Sequence, residues 1–147
     1  MFEIRCVARF ASVALVCTVF TVWAEPTYVV DNYAIEAPLT ATPGDVARGR
    51  AIALDRASGN CLSCHALPEE AEFFGTTGPS LVGVARRLSP AQLRLRLVDS
   101  KVLNPNSMMP SYYKTRGLNR VAPAYAGRPI LDAQQIEDVV AYLATLD

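Results

Sequence analysis

The run Cys61-Leu62-Ser63-Cys64-His65 constrains this chain more than any other feature. Two thiols three positions apart can bond the two vinyl groups of a haem while the imidazole that follows ligates its iron. Other uses of a C-x-x-C pair fit less well. A structural zinc site takes four ligands, and His65 is the sole histidine. A thioredoxin-like dithiol opens a helix after a strand, whereas the flanks of Cys61 read as helix and loop. One covalently attached haem c is the expectation.

The start of the chain reads as an export signal over residues 1–24. Arg5 and Arg9 precede the uncharged apolar run Ala11 to Ala24, which Glu25-Pro26 ends abruptly. That run is short for a membrane span, and Val22-Trp23-Ala24 offers small residues where a signal peptidase reads. The alternative is an uncleaved anchor. Cleavage after Ala24 would remove Cys6 and Cys17, leave Cys61 and Cys64 as the mature thiols, and place the protein in the periplasm.

The rest of the 147 residues fits one small domain, 42–147, preceded by an extended arm, 25–41. The arm lacks a helical period and either stays solvated or docks on a partner through Tyr28, Val29, Val30, Tyr33 and Ile35. Thr42-Pro43-Gly44-Asp45 predicts a helix from a Thr42 cap to about Asp55, with Val46, Gly49, Ile52 and Ala53 on one face. Leu88-Ser89-Pro90-Ala91-Gln92 starts a second helix reaching about Asp99, with Leu93 and Leu97 inward and Leu88 available as a staple. Asp132 caps a third, whose Ile136, Val139, Val140 and Leu143 follow i, i+3, i+4, i+7. No strand signal is strong, so the fold class is all-α. Residues 100–131 are punctuated by Pro and Gly and predict a long irregular loop, a feature that suggests function.

The other axial ligand follows by elimination. With no second histidine, the candidates are Met108 and Met109; Lys101 and Lys114 are weaker because a lysine must lose its proton to bind. Neighbouring side chains in extended chain point to opposite sides, so one methionine at most faces the iron. Pro110 biases Met109 toward extended geometry and favours it. In Thr77-Gly78-Pro79-Ser80-Leu81 a proline carbonyl stands free for a neighbour, and an iron-bound imidazole needs an acceptor for its second nitrogen. An iron held by His65 and Met109 has no open position, which leaves one-electron transfer and no catalytic residue.

Charge is balanced overall, 14 basic against 14 acidic residues. It is uneven inside the chain. Nine basic residues from Arg86 to Arg128 face one acid, Asp99, between Phe73 and Leu131. The expectation is a positive face that neutralises haem propionates or steers an acidic partner, unless these charges pair with acids elsewhere in the fold.

Gly44-Asp45-Val46-Ala47-Arg48-Gly49-Arg50, the C-x-x-C-H run, Thr77-Gly78-Pro79-Ser80-Leu81 and the last amphipathic helix together resemble a class I c-type cytochrome. The resemblance implies that the first and last helices cross near Gly49 and Tyr142, that Pro79 C=O accepts from the His65 ring, and that Arg87 binds a propionate. Ala53 stands where that family often carries an aromatic. Met109-Pro110-Ser111-Tyr112-Tyr113, Gly117 to Pro123 and Gly127-Arg128-Pro129-Ile130-Leu131 further resemble the SoxX family, the monohaem subunits of SoxXA thiosulfate-oxidising complexes. That likeness implies a heterodimer with a SoxA-like haem c chain. The pair would act as an L-cysteine S-thiosulfotransferase on a SoxYZ-type carrier, with this chain accepting electrons for a small acceptor cytochrome. The alternative is a free-standing periplasmic electron shuttle.

Overall fold

The computed structural model describes residues 27–69 and 73–147, so the export signal over 1–24 and the acids Glu70 and Glu72 lie outside the described residues. Among the described residues three α-helices carry the fold: α1 (Val46–Leu54), α2 (Pro90–Asp99) and α3 (Ala133–Leu143). Single 3-10 turns lie at Cys61–Ser63, Val84–Arg86, Ser100–Val102 and Pro123–Tyr125. Among the described residues the one β feature is an isolated bridge between Asp31 and Ala34.

α2 and α3 begin where the sequence predicts, and for the predicted reason. In α2 the Ser89 hydroxyl accepts from Gln92 N while the Gln92 side chain accepts from Ser89 N. Asp132 and Gln135 make the same reciprocal cap on α3. Leu93, Leu97, Ile136, Val139, Val140 and Leu143 are buried as expected, joined by Leu95 and Val98. Burying such an aliphatic side chain contributes roughly 1.5–3 kcal/mol. Leu88 packs against this core as well.

α1 starts later than Thr42. Its cap is Asp45, whose carboxylate accepts from Arg48 N at 2.8 Å. Residues 42–44 are held off helical geometry because Gly44 lies against α3. A Cβ on Gly44 would stand 2.1 Å from Glu137 O. Gly49 is closer still, with a would-be Cβ 1.8 Å from Asp138 O. α1 and α3 therefore meet backbone to backbone at this end, which leaves no gap for a side chain between them. Val46 is accordingly exposed rather than inward, while Gly49 and Ala53 are buried and Ile52 is half-buried.

The arm divides by residue. Ala34 and Ile35 are buried in the domain's own core, and Ile35 N donates to Ala91 O at 3.1 Å. Val29 and Tyr33 stay exposed, and Tyr28 meets the Tyr113 ring at 6.5 Å between centroids. The clamp is an internal ion pair. Arg94 donates bidentately to Glu137 (2.7 and 2.9 Å) and also to Ile35 O at 2.6 Å, while Glu137 Oε1 accepts from Leu39 N at 2.9 Å. One of the nine basic residues is thus interior. Lys114 pairs with Asp99 at 2.8 Å, so part of the predicted charge excess is compensated within the fold.

Candidate haem-binding site

α1 hands the chain directly to the thiols. Gly59 N donates to Ile52 O at 3.1 Å, Asn60 takes a left-handed turn (φ 52°), and the 3-10 turn Cys61–Ser63 follows. His65 N then donates to Cys61 O at 2.9 Å, which gathers both thiols and the imidazole onto little more than one turn of chain. Both cysteines are half-buried and neither is in a disulfide. Burial pushes the Cys61 thiol up to about 11, so it stays protonated at neutral pH rather than becoming a metal-binding thiolate.

The Gly-Pro segment backs this turn. Gly75 N donates to Leu62 O and Gly78 N to Cys64 O, at 2.7 and 2.8 Å. Gly78 lies flat on the imidazole: a Cβ there would stand 2.3 Å from His65 Cε1. His65 Nδ1 is 2.6 Å from Pro79 O. A carbonyl can only accept, so Nδ1 carries the proton and the lone pair is on Nε2, the nitrogen a metal would take. Arg87 donates to Ser80 O at 2.6 Å and remains exposed, which joins it to the same segment.

The two methionines are separated by environment. Met109 is half-buried and packs against the core, while Met108 is 80% exposed. Ser100 Oγ donates to Met109 O at 2.9 Å, and Lys101 Nζ donates to the same oxygen. Tyr112, buried three residues on, donates from its hydroxyl to Gly59 O at 2.7 Å and links the methionine segment to the turn before Cys61. Burial, then the nearby Cys61 and Cys64, raise its ionisation well above that of a free phenol, so it acts as a donor. Sequence reasoning did not find Tyr112, Ser100, Asp99 or Ser111 as parts of this site. The available signals were Asp99, a lone acid in a basic stretch, and the Met109–Tyr113 motif that carries Ser111 and Tyr112.

Among the other sequence-named residues, Lys101 and Lys114 are engaged with Met109 O and Asp99. Gly49 crosses α3 as the resemblance implied. Tyr142 reaches α1 indirectly: its hydroxyl donates to Glu69 Oε1 at 2.8 Å, and Arg50 grips the same carboxylate. Ala53 is fully buried.

Two thiols outside any disulfide, an imidazole with one nitrogen satisfied and one lone pair left, a half-buried thioether and a glycine pressed on the ring together fit a covalently held haem. Helices packed around such a site define a c-type cytochrome. The cytochrome c family model matches residues 46–147, and the chain belongs to that family. No curated protein matches. Among solved structures, the chain is similar to one in the crystal structure of SoxXA from P. pantotrophus, with 40% identity and a TM-score of 0.74, over 81% of this chain and 93% of that one. It is a SoxX-like cytochrome, and haem c is its cofactor.

Proposed function

We propose that this chain is the electron-accepting haem c subunit of a SoxXA-type complex. The observation that carries this reading is the 40% identity, over 93% of the other chain's length, to a chain of SoxXA. Cys61 and Cys64 would hold the haem through thioether bonds, His65 would ligate its iron through Nε2, and Met109 would supply the second protein ligand. Pro79 keeps the His65 ring in its tautomer and orientation. Arg87, held beside the Gly-Pro segment by its hydrogen bond to Ser80 O, would bind a propionate. Held by these residues, the haem would supply one-electron transfer chemistry.

The partner is a SoxA-like haem c chain in a periplasmic heterodimer. Together they act as an L-cysteine S-thiosulfotransferase on a SoxYZ-type carrier, and this subunit passes electrons to a small acceptor cytochrome. Among the described residues no helix is long and apolar enough to cross a membrane. Purification of the tagged full-length protein from its native periplasm tests this. A second haem c chain in constant ratio is expected. Recovery as a lone monomer that still reduces a terminal oxidase would replace the reading with a free-standing electron shuttle.

A further inference from the structure

Asp99, at the C-terminal end of α2, is 3% exposed. Three donors converge on it. Ser111 Oγ (2.7 Å) and Lys101 N (3.1 Å) donate to Oδ1, and Lys114 Nζ (2.8 Å) donates to Oδ2. Burial alone would raise its pKa, but the hydrogen bonds from Lys114, Ser111 and Lys101 N more than offset it, and the carboxyl is held below its ordinary value.

The residues beside Asp99 grip the same stretch of chain on the other side of Pro110. Ser100 Oγ and Lys101 Nζ both donate to Met109 O. Asp99 caps the 3-10 turn Ser100–Val102 through Lys101 N. That cap holds Ser100 and Lys101 where they reach residue 109, while the carboxylate itself holds residue 111. Tyr112 N, donating to Leu97 O at 2.9 Å, extends the grip by one residue. An apolar side chain could fill the same volume, but it would not define which residue lies opposite it. Along this segment Met109 is half-buried and Met108 exposed, so the residue that is held decides which side chain turns inward. A slip of one residue would exchange Met109 for Met108.

We propose that Asp99 is the positioning residue for the axial methionine, pinning the chain on both sides of Pro110 so that Met109 is presented to the haem and Met108 to solvent. The proposal rests on the reading of Met109 as ligand. It assigns Asp99 a role in ligand geometry beyond its part in the stability of the fold.

The test is displacement of the methionine by added imidazole, followed through the sulfur-to-iron absorption band of the full chain with its haem attached. Asp99→Ala and Ser111→Ala should each lower the half-displacing imidazole concentration at least about threefold, Asp99→Ala the more, as expected for loss of a buried hydrogen bond. Asp99→Asn keeps a side-chain acceptor and should lie between Asp99→Ala and wild type. Gln135→Ala, which removes one arm of the α3 cap, reports what a purely structural weakening does and should leave the concentration unchanged. A smaller shift in either Asp99→Ala or Ser111→Ala, or an equal one in Gln135→Ala, overturns the proposal. If Asp99→Ala does not accumulate, Ser111→Ala decides alone, since it leaves the Asp99–Lys114 pair in place. Failure of the ligand reading is separate: Met108→Ala losing the band while Met109→Ala keeps it would remove Met109 as ligand whatever Asp99 does.

Discussion

At Gly78 the requirement comes from a ring rather than from the backbone's own conformation. Gly78 is absent from the positive-φ glycines, which are Gly83, Gly117 and Gly127. What excludes a side chain is contact, since a Cβ would lie 2.3 to 2.9 Å from three atoms of the His65 imidazole. Gly78→Ala should therefore push the ring off Pro79 O and weaken a hydrogen bond worth about 1 kcal/mol. The expected outcome is a shifted reduction potential and a changed low-spin electron paramagnetic resonance signal with the absorption band of attached haem intact. An unchanged signal would show that the segment yields instead of the ring. The Pro79 acceptor was legible because an iron-bound imidazole needs an acceptor for its second nitrogen and the Thr77–Leu81 segment resembles the one that supplies it in class I cytochromes, although Pro79 lies fourteen residues from His65. The glycine's role was not, because nothing in a one-dimensional string says which ring will lie over it.

Helix starts show how far local signals carry. Ser89-Gln92 and Asp132-Gln135 are closed local motifs, complete within four residues, so they form wherever the chain allows. Thr42-Pro43-Gly44-Asp45 carries an equally good local signal and loses. The cost of turning at residue 42 would be to lift Gly44 off Glu137 O, and α3 decides otherwise. The same crossing yields a prediction for α1. Gly49→Ala sets a methyl against the Asp138 carbonyl, where backbone on both sides cannot yield, and should cost about 3 kcal/mol or more. Gly127→Ala meets no atom within 4 Å at φ 72°, so it should cost about 1 kcal/mol, from backbone strain alone. Thermal unfolding of the two holoproteins, compared with wild type, checks the contrast.

For the molecule as a whole, the α1–α3 crossing is also an electrostatic joint. Asp138 is buried and accepts from Arg48 Nε and Nη2 (2.8 and 3.0 Å), Asp45 N (2.8 Å) and Gln134 Nε2 (3.0 Å). The Arg48 guanidinium, with the Asp45 and Gln134 donors, outweighs burial and holds the Asp138 carboxyl at about 2, against an ordinary 3.8. A carboxyl depressed on folding stabilises the native state above its unfolded pKa and stops doing so as pH falls through the folded one. Its contribution of roughly 2 kcal/mol should be fully present above about pH 5 and mostly gone by about pH 2. Urea unfolding of wild type and Asp138→Asn across that range checks it, because the difference between the two curves should shrink on acidification. A difference independent of pH would mean that the carboxylate's charge is not what holds the crossing.

The sequence by itself determined the haem motif, the two reciprocal helix caps and the aliphatic faces of α2 and α3, because each depends on residues within a few positions of one another. Only the tertiary structure decided that α1 is capped by Asp45, that Ile35 joins the core while Tyr33 does not, that Arg94 turns inward, and that Asp99 holds Ser111 while Ser100 and Lys101 hold Met109 O. These outcomes depend on pairs such as Gly49–Asp138 and Arg94–Glu137. Their partners are distant along the chain and adjacent only after it folds. The Cys61–His65 run names the cofactor, and long-range contacts settle which methionine is turned inward.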